Sequence, residues 1–284
     1  MDIAAAQRAL QAAQLALQQG QLTDAGALLS QLRKTLPREK AVLYLSARLA
    51  RLQGDARGAA RLLEKALRAA PREAPLWAEY ASALDDADRP AEALKAYNRA
   101  LQLEPRLLDA EVDRAVLRVR KLDGVEALGE LRRIAAANPD HMRVWKNLAM
   151  LEREALETGR AITAADHVLA STPDDSSALA VRAFAQFDSG EPSAAFFARA
   201  CSADPANAAL AIKYAAALHG EGRSSDGDTV LGQIIAAQPF NLEALRALAQ
   251  IRWEAATGAE PMDGFEQAVA YADCPPEIWA EYAR

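Results

Sequence analysis

The chain holds few of the side chains from which reactive centres are usually built: three histidines, His141, His167 and His219, and two cysteines, Cys201 and Cys274. No HxD and no HExxH pattern occurs, so neither an HxD-type iron site nor a zincin is encoded. GxGxxG, GxxxxGK(S/T) and GxSxG are absent too, which removes the common dinucleotide, phosphate-loop and hydrolase readings. Asp166 and His167 are neighbours on what reads as a helix, where adjacent side chains diverge by about 100°, a surface pair and not a dyad. Cys201 and Cys274 lie 73 residues apart without a CxxC, as expected of small apolar residues in a reduced cytoplasm. The expectation is a cytoplasmic chain that is not itself an enzyme, with no catalytic residue, metal or cofactor.

Charge narrows the partners. The net charge of −6 and a pI near 5.3 argue against a nucleic acid held through its phosphates. Acids and bases alternate along the chain as on solvated helix faces. No run approaches the length of about 18 apolar residues that a membrane span needs. The Ala/Leu/Gln stretch after Met1-Asp2-Ile3 lacks a basic leader and reads as a first helix.

What organises the sequence is a period. Pro37, Pro71, Pro105, Pro139, Pro173, Pro205 and Pro239 are separated by 34, 34, 34, 34, 32 and 34 residues. Ten places after each stands an alanine (Ala47, Ala81, Ala115, Ala149, Ala183, Ala215, Ala249), and Ala13 continues the series backwards. A methyl-sized residue at one point of every repeat implies a close crossing of two helices. Twelve before each proline comes a second small series, Ala25, Ala59, Ala93, Ala127, Ala161, Ser193 and Gly227. Eight before stand Leu29, Leu63, Tyr97, Leu131, Ala165, Phe197 and Leu231, and five before stand Leu32, Ala66, Ala100, Ile134, Val168, Ala200 and Ile234. These offsets share one helical face. Gly20, Gly54 and Gly222, seventeen before a proline, mark the end of a first helix. Each unit thus reads as helix, Gly-containing turn, helix, Pro-containing turn.

This pattern resembles the tetratricopeptide repeat over nearly the whole chain, with Trp77 and Trp145, six residues after their prolines, as its first-helix aromatic. The resemblance implies an all-α, right-handed α-solenoid of about eight helix-turn-helix repeats. It would form a single domain over residues 1–284, with units ending near 37, 71, 105, 139, 173, 205, 239 and 273 and the start of a ninth at 274–284. It also implies a protein or peptide partner, held in a concave groove lined by the first helices. Asn147 lies where such helices carry an asparagine that bonds ligand backbone; with Lys146, Arg143 and Arg153 it is similar to part of a carboxylate clamp. Tyr44, Arg48, Arg51, Phe184, Phe187, Lys213, His219, Arg246 and Trp253 are the other expected groove residues, arginines beside aromatics being common at interface hot spots.

Two irregularities carry expectations of their own. Gly159, fourteen before Pro173, suggests a first helix lengthened to about Thr158 and a shortened second helix, and the next unit has lost two residues. At the end of the chain, Trp279-Ala280-Glu281-Tyr282-Ala283 repeats Trp77-Ala78-Glu79-Tyr80-Ala81, as if the sequence stops inside a ninth repeat of a longer protein. A cut face of that kind would favour a homodimer, and a self-associating scaffold is one alternative to the interaction module. The stretch from Phe240 to Ala270 is similar to repeats preceding 2-oxoglutarate/iron oxygenase-like domains in bacterial proteins, and tetratricopeptide–sulfotransferase fusions look alike. The other alternative is therefore a substrate-recruiting region of a larger bacterial enzyme.

Overall fold

A computed structural model of the chain describes residues 3–238, 241 and 243–248. They form fourteen α-helices: α1 Ile3–Gln18, α2 Leu22–Thr35, α3 Lys40–Leu52, α4 Ala56–Ala69, α5 Ala74–Asp86, α6 Pro90–Leu103, α7 Leu108–Lys121, α8 Gly124–Ala137, α9 Met142–Glu154, α10 Thr158–Ser171, α11 Ser176–Asp188, α12 Ala194–Ala203, α13 Ala208–Gly220 and α14 Ser224–Ala237. Residues 243–248 are helical as well, and no strand occurs among the described residues. The chain divides into two compact units, Met1–Ile134 and Ala135–Arg284. Inside each, consecutive helices pack in pairs, so the fold is an all-α solenoid of tetratricopeptide-like repeats.

The prolines end the even-numbered helices by a local steric rule. A residue before proline is driven out of the α region into extended backbone. Leu36, Ala70, Glu104, Thr172 and Asp204 obey, with φ between −130° and −138° and ψ between 60° and 89°. Helix starts are marked by side chains that accept orphan N–H groups. Asp55 caps Gly58, Asp175 caps Ala178 and Asn207 caps Leu210. Pro75 and Pro90 sit in the first turns of α5 and α6, where a missing N–H costs nothing.

The small residues stand at the crossings. Ala13, Ala47, Ala81, Ala115, Ala149, Ala183 and Ala215 are all at most 1% exposed, and Ala25, Ala59, Ala93, Ala127 and Ala161 are fully buried. The bulkier series fills the space beside them: Leu29, Leu63, Tyr97, Leu131, Phe197 and Leu231 are buried. Burial and the nearby Asp113 carboxylate push the Tyr97 phenol far above its ordinary pKa. Ala249 and Pro239 lie outside the described residues.

Turns between the paired helices differ from expectation. Backbone of positive φ recurs seventeen residues after the preceding proline, at Gly54, Asp88, Leu156, Gly190 and Gly222, as well as at Gly20. Glycine adopts this left-handed geometry freely, whereas Asp88 and Leu156 do so against their β-carbons. Gly159 therefore marks no displaced turn: α9 ends at Glu154 without lengthening, and α10 has its full fourteen residues. The helix that does run on is α7, to Lys121, because Leu122 takes φ −132° instead of the left-handed turn. Loss of two residues before Pro205 leaves α11 and its Gly190 turn in register and falls on the start of α12, which keeps ten residues.

Candidate functional site

In the first unit α3, α5 and α7 are the first helices of successive repeats, and polar side chains about one repeat apart tie them together. Lys40 Nζ donates to Glu73 Oε2 at 2.7 Å and Tyr44 Oη donates to Glu79 Oε1 at 3.2 Å. The Arg51 guanidinium spans α5, donating to Asp86 (2.8 Å), Glu79 (3.3 Å) and Ser82 (2.8 Å). Lys121 Nζ lies 2.8 Å from Asp85 Oδ1 and 3.3 Å from Asp88, and its hydrogen bond to Asp85 raises its pKa. Burial, followed by the Glu79 carboxylate, raises the Tyr44 phenol, while Arg48 on the same helix pulls it down.

Two adjoining depressions follow this face. One, of about 290 Å³, is lined by Lys40, Ala41, Tyr44, Glu73 and Leu76, and the other, of about 270 Å³, by Arg51, Ala78, Ser82, Leu107, Asp109, Ala110 and Asp113. Pro75 and Glu79 border both. The first exposes mainly apolar surface and the second mainly polar surface, and carboxylates line both. Of the expected groove residues, Tyr44 and Arg51 are here; Glu73, Glu79 and Asp109 are additions. Glu79 and Asp113 each stand eight residues after a proline, the spacing that singles out Asn147, so that spacing was the signal.

The first-helix face of the second unit is built differently. Lys146 on α9 pairs with Asp175 at the start of α11. Burial opposes ionisation of Asp175, but Lys146 and the Ala178 N–H hold its carboxyl below the usual range. Arg153 lies 5.0 Å above the Phe184 ring and 3.9 Å from Asp188, and Lys213 Nζ lies 5.8 Å above Phe187. Both rings meet buried Phe197 edge-on, with centroids 5.2 and 6.1 Å away, so Phe184 and Phe187 pack against the second helix of their own repeat. Asn147 is half-buried on α9, Arg143 is exposed in its first turn and Arg246 is exposed at 243–248. His219 meets Ser224 Oγ at 2.7 Å in the α13–α14 turn. Trp253 lies outside the described residues, as do Trp279 and the expected ninth repeat.

Trp77 and Trp145 share a repeat position but not a partner. The Trp77 indole donates to the Pro71 carbonyl at 2.9 Å. The equivalent Pro139 carbonyl is taken by His167 Nε2 at 2.8 Å, and the His167 ring stacks on Trp145 at 4.1 Å. Reactive groupings do not emerge elsewhere among the described residues. His219-Gly220-Glu221 is an HxE pair, yet Glu221 is spent on the N–H groups of Ser193 and Ala194, each at 2.8 Å. Among the described residues no three His, Cys, Asp or Glu side chains are placed to hold a metal ion, and no helix is long and apolar enough to cross a membrane.

Comparison by sequence finds no matching family and no matching characterised relative. Comparison by structure finds tetratricopeptide-repeat proteins. PilW, a widely conserved type IV pilus biogenesis factor, superposes with a TM-score of 0.65 at 17% identity over 74% of this chain and 98% of its own. A tetratricopeptide repeat protein from Parabacteroides merdae ATCC 43184 gives 0.60 at 17% identity, over 93% and 98%. The Cut9–Hcn1 hetero-tetramer of APC/C gives 0.65 at 13% identity, over 82% and 46%. The fold is that of the tetratricopeptide repeat.

Proposed function

We propose that this chain is a protein-interaction module that seats a peptide segment of a partner along the first-helix face of α3, α5 and α7. The observation that carries this reading is the pair of adjoining depressions there, the first mainly apolar and the second mainly polar. Such a surface suits an extended segment, whose side chains enter the depressions while its backbone meets the rim. The fold neighbours agree, since Cut9 is seen in a complex with Hcn1.

Ala78, half-buried on the wall of the second depression, allows a direct test. Random twelve-residue peptides are selected on the full chain, and the enriched sequences are then measured against Ala78→Phe, which fills the depression. The expected result is a loss of binding on the order of tenfold or more, with an unchanged melting temperature. Equal binding by the two proteins overturns the reading.

A further inference from the structure

We infer that the exposed face of the second helices in the first unit, centred on α4, is a further interaction surface, and that its partner is an acidic segment of another protein. Helix α4 buries Gly58, Ala59, Leu63, Ala66 and Leu67. The face it leaves outside is basic: Arg57, Arg61, Lys65 and Arg68 follow at spacings of four, four and three residues, and Arg72 continues the row past the helix end. All five are exposed. Glu64, the single acid of α4, is taken by Arg68 at 2.8 Å. Among the described residues no hydrogen bond or ion pair engages Arg57, Arg61, Lys65 or Arg72. The period widens the patch. Lys95 and Arg99, 34 residues after Arg61 and Lys65, are exposed on α6, and Arg38, Arg72 and Arg106 each follow a repeat proline. After Pro139 and Pro173 the same place holds Asp140 and Asp174. Residues 1–134 carry 22 Lys and Arg against 18 Asp and Glu, whereas residues 135–284 carry 11 against 21. Positive charge is thus gathered on the first unit of a chain whose total is −6. Unpaired guanidinium groups in a row suit carboxylates, which arginine binds bidentately. From Arg57 to Arg68 the row runs about 16 Å at 1.5 Å per helical residue, the length of about five extended residues. A segment that short lies within roughly a Debye length, ~10 Å, of the row and is attracted by it. An extended polyanion, a duplex or an anionic membrane, faces instead the net negative charge of the whole chain, which favours the protein segment.

The test titrates the full chain into a fluorescently labelled twelve-residue peptide that carries six consecutive glutamates. Binding is expected at low salt and should weaken as salt rises. Arg57→Gln with Arg61→Gln and Lys65→Gln should weaken it on the order of tenfold or more, with an unchanged melting temperature because these side chains are exposed and unpaired. Arg8→Gln with Arg160→Gln and Arg223→Gln removes the same charge elsewhere and should leave binding as it was. Ala78→Phe should also leave it as it was, since the groove lies on the first helices. No binding of the peptide, or equal weakening by both triple variants, overturns the surface. Weakening by Ala78→Phe overturns it too, because the peptide would then sit in the groove. Tighter binding of phosphatidylserine vesicles or a short DNA duplex than of the peptide, lost in the α4 triple variant, overturns the protein partner.

Discussion

A β-carbon on Gly227 would stand 2.9 Å from the carbonyl oxygen of Ala215, closer than a carbon can approach a backbone oxygen. Here the two small-residue series meet, Ala215 ten residues after one proline and Gly227 twelve before the next. The crossing of α13 and α14 is thus set by backbone contact, and even a methyl group is too large on one side.

Gly227→Ala should therefore destabilise the chain although alanine is the better helix former by about 1 kcal/mol. Pushing the helices apart should cost about 1–3 kcal/mol. Gly232→Ala in the same helix, with nothing within 4 Å of the added carbon, should instead stabilise by up to about 1 kcal/mol. Thermal melts of the two variants should move in opposite directions; a shared direction would show that the crossing yields easily.

Leu156 should gain from losing its side chain. It is 83% exposed and holds φ 60°, a conformation costing a β-carbon-bearing residue roughly 1–2 kcal/mol. Leu156→Gly should raise stability by about 1 kcal/mol, and the reverse change at the equivalent turn, Gly190→Ala, should lower it by a similar amount. Denaturant midpoints for the pair decide the matter, and a destabilised Leu156→Gly would mean that the leucine makes a contact outweighing its strain.

These turns show what could be read from the chain and what could not. Proline spacing and the alanine series foretell the helix pairs and their crossings because sterics next to proline and at a close crossing are local. The left-handed turn was harder to place, since Asp88 and Leu156 adopt it without glycine and Gly159 imitates its signal inside a helix. Side-chain ties between repeats were legible only in part. Tyr44 and Arg51 stand out by type, but their partners Glu79 and Asp86 look like ordinary solvated acids until α3 and α5 lie side by side. Phe184 and Phe187 stand out by type as well, but nothing local reveals that Phe197 of α12 lies behind them.

Asp175 combines a helix cap with an ion pair, and two substitutions separate them. Asp175→Asn keeps a capping oxygen for Ala178 and loses the pair with Lys146; Asp175→Ala loses both and should cost about 1 kcal/mol more. The folded state holds this carboxyl below its unfolded value. Its stabilisation is therefore complete at neutral pH and is lost as pH falls from the ordinary carboxylate range through the lowered folded value. Stability measured from pH 7 down to pH 3 should fall less steeply for Asp175→Asn than for the unaltered chain. Parallel curves would remove Asp175 as a contributor to acid sensitivity.

Glu221 should be the residue that makes the shortened repeat tolerable. The two-residue loss before Pro205 leaves α12 beginning only at Ala194, after Glu191, Pro192 and Ser193. Its first N–H groups have no intrahelical acceptor, and Ser193 offers no side-chain cap. Glu221, in the next repeat's α13–α14 turn, supplies one carboxylate oxygen to the N–H groups of both Ser193 and Ala194. A negative charge at a helix N-terminus also complements the helix dipole. Glu221→Gln keeps an acceptor and loses the charge, so it should cost less than Glu221→Ala, for which about 1–2 kcal/mol is expected. Global stability alone would not locate the effect. Amide hydrogen exchange would: in Glu221→Ala the Ser193 and Ala194 amides should lose protection more than those of α10, whose start Glu221 does not touch. Uniform loss across both helices would show that Glu221 acts on the unit as a whole and not as the cap of α12.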